Sequence, residues 1–202
     1  MVSKAQLIFF DLVKCTDKDA APFTGTPEQA YRNLRLDYNG TPYKGNDMNL
    51  SGIQPLKDEI KGGFVIEIGE KVFKHISKED DRYIDGRAAL DACWKWVEDG
   101  NISGDELYEL IDNAECTGIS EFAEYEQDIY LAKLWCLLVD IVSYIAWMEY
   151  KKEKTRYLPQ ALEGIREESL LVLAESAVET SFITEEEISL IQNRILSCLD
   201  TI

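Results

Sequence analysis

Ile129–Met148, IYLAKLWCLLVDIVSYIAWM, is the stretch on which the fold turns. It carries two formal charges, Lys133 and Asp140, and its apolar side chains reach right round a helical wheel. A helix apolar on every side is enclosed by other helices or by lipid. A membrane-spanning helix wants about 20 consecutive apolar residues, whereas the uninterrupted run Leu134–Val139 stops at Asp140. The pattern therefore predicts a long, buried central helix over about Ser120–Lys152, with the other helices packed round it. Trp135 and Trp147 are its expected structural residues. Asp140 is an acid at the apolar centre, and an unpaired buried carboxylate is expensive. It is read as a structural anchor, paired with Tyr144, a tryptophan indole N–H or Arg87, or else placed on an exposed strip.

Beyond this stretch the chain reads as helices with clean starts. Downstream, Pro159 and Gly164 bracket a link, and Glu167–Glu179 is a further apolar helix. Thr184 with Glu187 forms a capping box, stapled by Ile183 and Ile188, for a last helix that buries Ile188, Ile191, Ile195 and Leu199. Upstream, Ser103 with Glu106 repeats the device, with Ile102 and Leu107 as the staple. The helix they start puts Leu107, Leu110, Ile111 and Ala114 inward and Asp105, Glu109 and Asp112 outward. Gly118 and Ser120 separate it from the central helix. Asp85-Gly86 precedes a helix over Arg87–Val97 with a core stripe of Leu90, Cys93, Trp94 and Val97, and Gly100 stops it. Phe64–Ile76 places Val65, Ile68, Val72 and Ile76 at helical spacing; FVIEI would tolerate a strand, but helix is favoured. Gly62-Gly63 is read as a break before it.

The first third differs. Four of the five prolines and six of the twelve glycines fall within residues 1–63, which marks a loop-rich portion. Short helices are expected around Ala5–Lys14 and Pro27–Asp37. Tyr38-Asn39-Gly40-Thr41 is a tight-turn signal with room for a small hairpin. The expectation is a mainly α protein: one helical domain over 1–202, with 1–63 packed on or appended to the 64–202 helical core.

Composition narrows the function classes. A formal charge of −17 over 202 residues argues against nucleic acid or an anionic membrane as partner, since both would repel it. Five widely spaced cysteines, Cys15, Cys93, Cys116, Cys136 and Cys198, suit reduced, mostly buried thiols. With no secretion-type opening segment, the expected location is cytoplasmic, where the sequons at Asn39, Asn49 and Asn101 carry no meaning. The one histidine, His75, leaves no pair for a two-histidine site and reads as a cation at a helix end. No CxxC, GxGxxG, Walker-type loop or HExxH occurs. Asp99-x-Asn101-x-Ser103-Gly104 matches the first half of an EF-hand loop, but Glu106 and Leu110 stand where an apolar residue and a bidentate Glu belong. A helix stop followed by a capped start explains the same residues. No catalytic residue, metal or cofactor is expected.

The distribution of charge says most. From Trp96 to Ala132 there are eleven acids and no Lys or Arg. Acids at helix N-termini complement the macrodipole, yet Glu109, Asp112 and Glu115 lie beyond a first turn. Asp105, Glu106, Glu109, Asp112 and Glu115 are therefore the candidate partner-binding residues, on a face that reads either as an ordinary solvated surface or as one shaped for a cationic partner.

Arg82–Asn113, RYIDGRAALDACWKWVEDGNISGDELYELIDN, followed by Leu134–Met148 and Tyr157-Leu158-Pro159-Gln160-Ala161-Leu162-Glu163, resembles immunity protein family six of bacterial polymorphic toxin systems. The resemblance covers roughly residues 80–166. It rests on Asp85-Gly86-Arg87, the Trp94/Trp96 pair, Val139-Asp140, Trp147 and the YLPQALEG run, which are framework residues. It implies a helical cytoplasmic protein that binds and neutralises a cognate toxin, many of which are nucleases with basic clefts. It carries over no set of toxin-binding residues. The rivals are a helical structural or regulatory module and an enzyme with no recognisable motif.

Overall fold

A computed structural model describes residues 48–199 of the chain, which lie within the compact unit Leu50–Ile202 apart from their first two residues. The helices at 5–14 and 27–37 and the hairpin at 38–41 lie outside the described residues. The described part holds seven α-helices and no strand: α1 (Asp58–Phe73), α2 (Tyr83–Asp99), α3 (Gly104–Ile111), α4 (Ile119–Tyr125), α5 (Ile129–Glu153), α6 (Ser169–Glu179) and α7 (Glu185–Leu199). A short 3-10 turn, Gln160–Leu162, links α5 to α6.

α5 is the central helix. It packs against α1, α2, α3, α4 and α6, while α7 packs on α1. Leu134, Trp135, Leu138, Ile141, Val142 and Ile145 on α5 are fully buried. α5 is long and apolar enough to cross a membrane, but 67% of its most apolar window is inside the bundle. Enclosure by five neighbours accounts for that composition.

The central helix is shorter than the sequence predicts. The expected single helix from Ser120 is two, because the chain turns through Glu126–Asp128. The Asp128 carboxylate accepts from the Tyr130 and Leu131 backbone N–H groups at 2.9 and 3.1 Å, and so caps α5. Glu126 Oε1 accepts from the N–H groups of Gln127 and Asp128, while its Oε2 takes Arg82 Nη1 at 2.7 Å.

Two other starts move for a common reason. α1 begins at Asp58 and runs through Gly62-Gly63, which is no break. A Cβ on Gly62 would stand 2.7 Å from Trp96 Cζ3 and 3.1 Å from Ile145 Cδ1. α2 begins at Tyr83, so Asp85-Gly86 lies inside it, and a Cβ on Gly86 would meet Phe73 Cε2 at 2.7 Å and Trp135 Cζ3 at 2.8 Å. These glycines let large rings approach the backbone; they do not end helices. Gly100, at φ 63°, does stop α2 as expected.

The phase of α2 also differs. Trp96 is its buried tryptophan, with Ala89, Leu90 and Cys93, whereas Trp94 and Val97 are half-buried. Trp147 on α5 is half-buried too, stacked on Tyr144 at 5.8 Å with Lys151 over its face. In α7, Ile188 and Ile191 are buried, but Ile195 is half-buried and Leu199 exposed. Of the four described cysteines only Cys93 is buried; Cys136 is half-buried, and Cys116 and Cys198 are exposed. Both capping boxes form: Thr184 and Glu187 exchange bonds at 3.1 and 3.3 Å, as Ser103 and Glu106 do at 2.9 and 3.2 Å.

Candidate functional site

α3 carries the first candidate residues, and its position is fixed from below. Leu107 and Ile111 are buried against the bundle, so the residues between them turn outward. At its start Gly104 N–H donates to Glu153 Oε1 at 3.2 Å, and the Tyr150 hydroxyl donates to Asp105 Oδ1. Burial and then the Asp105 carboxylate hold the Tyr150 phenol above its ordinary range. Hydrogen bonds from the backbone N–H and hydroxyl of Ser103 keep the Glu106 carboxyl below its ordinary value.

α3 ends at Ile111, which breaks the expected row of acids. Asp112 is extended (φ −148°, ψ 123°) and half-buried. The chain then turns on Asn113, whose Oδ1 accepts from Thr117 N–H at 3.1 Å and Thr117 Oγ1 at 3.2 Å. Ala114, expected inside, is exposed. Glu106, Glu109, Asp112 and Glu115 border one open depression with Leu110, and Asp105 sits apart at Tyr150. Glu109 and Glu115 are exposed. Neither they nor Asp112 has a cationic partner among the described residues. The arrangement can attract cations.

The calcium-like segment behaves as a stop and a start. Asp99 Oδ1 accepts from Asn101 N–H at 2.8 Å, and the Ser103 side chain caps α3. His75 lies just past α1 and stacks on the Phe182 ring at 4.4 Å.

The structural candidates have different neighbours from those expected. Trp135 is fully buried, with Phe122 at 5.0 Å and Phe73 at 6.3 Å, both edge-on. Trp94 Nε1 donates to Glu70 Oε1 at 2.9 Å, and Arg87 clamps the same carboxylate at 2.6 and 2.8 Å. The Arg87 guanidinium, first, and Trp94 hold the Glu70 carboxyl below its ordinary value against the opposing effect of burial. Arg87 is thus committed to Glu70 and Asp91, not to Asp140. Asp140 meets none of its expected partners among the described residues: they leave its side chain exposed, on the strip of α5 with the half-buried Cys136 and Trp147, while desolvation by burial pushes its carboxyl up to about 7.

Sequence reasoning missed one surface feature. Tyr125, Ile129 and Tyr130 are exposed at the α4–α5 turn, and Ile84 is exposed on the first turn of α2. A single helix through residues 120–152 conceals that turn; Asp128, an N-cap residue before an apolar run, was the signal for it.

Residues 60–180 of the chain match a protein-family model described as Immunity protein Imm6. The match takes in most of α1 and all of α2 to α6, and α7 lies outside it. No curated protein and no solved structure matches the chain.

Proposed function

From a chain that belongs to the immunity protein family Imm6, and is by that membership an immunity protein against a toxin, we propose an inhibitor that works by occupancy and not by turnover. It binds one cognate toxin domain in the cytoplasm and covers its working surface. The partner is basic, as the substrate cleft of a nuclease would be. Neither nucleic acid nor membrane is a partner of so acidic a chain. The recognition face is the acidic one of Glu106, Glu109, Asp112 and Glu115, with Asp105 at its edge.

One observation carries this reading. Glu109 and Glu115 stand exposed round a shared depression, with no cation against them among the described residues, in a stretch of eleven acids that holds no Lys or Arg. Uncompensated like charge slightly opposes the fold that bears it. A cationic partner supplies its use, because complementary charge speeds association and rejects wrong partners.

The test is the double reversal Glu109→Lys, Glu115→Lys. Exposed substitutions usually stay within about ±0.5 kcal/mol of stability, so the melting temperature should hold. Association with the cognate toxin domain should slow, and its rate should lose part of its salt dependence. Unaltered association kinetics at two salt concentrations, with full protection of cells, would remove this face from recognition.

A further inference from the structure

Three segments meet round one ion pair at the α4–α5 turn. Arg82, just before α2, reaches Glu126 Oε2 at 2.7 Å with Nη1 and lies over the Trp135 ring, its Cζ 5.4 Å from the centroid. Ile84 follows Arg82 by two residues, Tyr125 precedes Glu126, and Ile129 and Tyr130 begin α5. Their exposures are 75%, 69%, 39% and 49%. Single exposed apolar residues are ordinary on a soluble protein. Here three large ones, two of them tyrosines, lie within residues 125–130, and the fourth, Ile84, follows by two residues the arginine bonded to that turn; exposed apolar residues concentrated in this way are of the kind that marks interaction sites.

The turn is rigid. Asp128 caps α5, Glu126 ties down the two following N–H groups, and Phe122 packs edge-on to Trp135 beneath it. A backbone tied down before contact loses less freedom on binding, which favours affinity. The surroundings are anionic: Asp81, Asp85, Glu124 and Asp128 are all exposed. The one arginine there among the described residues, Arg82, is already neutralised by Asp80 and Glu126. α4 also packs along the same helix α5 as α3, and the two touch each other, so the turn continues the acidic face.

We propose that this turn is the anchor of the toxin interface: Tyr125 and Tyr130, with Ile84 and Ile129, fill an apolar recess on the toxin that is rimmed by Lys and Arg. The proposal rests on reading the chain as an immunity protein and adds where its binding energy is concentrated. Buried tyrosines at the centre of an interface commonly supply most of the affinity, with charged rims setting approach and selectivity. The acids argue for a basic protein over a second copy of this chain, whose own turn would bring like charge against like.

The experiment titrates the full chain into its cognate toxin domain, sought among the products of genes neighbouring its own, first as wild type. Failure of the wild type to bind or protect would overturn the immunity reading and this proposal with it. Where it binds, Tyr125→Ala with Tyr130→Ala is expected to weaken Kd by about a hundredfold or more, since a single anchor of this kind commonly accounts for about thirtyfold. Tyr157→Ala, at a still more exposed tyrosine elsewhere, should leave Kd unchanged. Hydrogen exchange on the unmutated chain gives a second reading free of folding effects: amides over residues 125–131 should gain protection on binding. Wild-type affinity in the double variant, or no change in protection at the turn, would overturn the anchor while leaving the immunity reading in place. Self-association of the wild type that the double variant abolishes would also overturn it, by showing a second copy as the occupant.

Discussion

Trp96 and Trp135 are equally buried, at 1% and 0% exposure, yet the same substitution should affect them differently. Trp96 Nε1 donates to Glu149 Oε2 at 2.6 Å, inside the bundle. Trp135 Nε1 is buried with no hydrogen-bond partner. Phenylalanine at either site keeps an aromatic ring but removes the N–H and some volume, a loss of roughly 1–2 kcal/mol at each. At Trp96 a hydrogen bond to a carboxylate also goes, worth about 1.5–3 kcal/mol. Glu149, at 8% exposure, then keeps Lys152 Nζ at 3.4 Å. The total for Trp96→Phe is about 2.5–5 kcal/mol by these magnitudes. At Trp135 the change deletes an unpaired buried donor, which recovers about 1–3 kcal/mol. Trp135→Phe therefore comes out between about −2 and +1 kcal/mol. Urea unfolding followed by far-ultraviolet circular dichroism measures both without relying on tryptophan emission. The gap between the variants should be at least about 1.5 kcal/mol, with Trp96→Phe the weaker protein. Equal losses at the two sites would refute the different polar environments assigned to them.

The two adjacent glycines of α1 make a second contrast, read by thermal melts. A Cβ on Gly63 would meet nothing within 4 Å, so Gly63→Ala should stabilise by about 0.5–1 kcal/mol through helix propensity. Gly62→Ala drives a methyl into Trp96 and Ile145 and should cost about 1–3 kcal/mol. The Glu70 cluster sets part of the acid limb of stability. Its carboxyl pKa is lower in the folded chain than its unfolded value near 4.5, so its contribution is present above that value and fades as pH falls through the folded one. Glu70→Gln should therefore weaken the protein at pH 7 and flatten the loss of stability on acidification below about pH 4.5; an unchanged acid limb would count against the cluster.

The parts of the fold that were legible are those set by local chemistry or by a whole-helix pattern. The apolar sequence of α5 demanded enclosure, and Ser103 with Glu106 and Thr184 with Glu187 announced two helix starts. What was not legible depended on residues distant in sequence. Gly62 reads locally as a breaker, and only the Trp96 ring from α2 reveals it as a clearance. The choice between Trp94 and Trp96 rests on helix phase, which their spacing leaves open, and Glu70 and Glu149 supply an acceptor for each. Asp128 stood among so many acids that its capping role was hidden, and with it the turn that exposes Tyr125 and Tyr130. For the candidate site, charge picked out five acids, but not their separate states. Asp105 is engaged by Tyr150, 45 residues on, Glu106 serves its own helix, and Glu109 and Glu115 are open.

The central claim is inhibition by occupancy, and stoichiometry tests it most directly. A fixed amount of its cognate toxin domain is mixed with increasing amounts of the full chain, and residual toxin activity is measured after the mixture equilibrates. Activity should fall linearly and reach its floor at one chain per toxin, with the toxin recovered intact and active once the complex is dissociated. Full inactivation at a small fraction of one equivalent, or a toxin left covalently altered after separation, would contradict it.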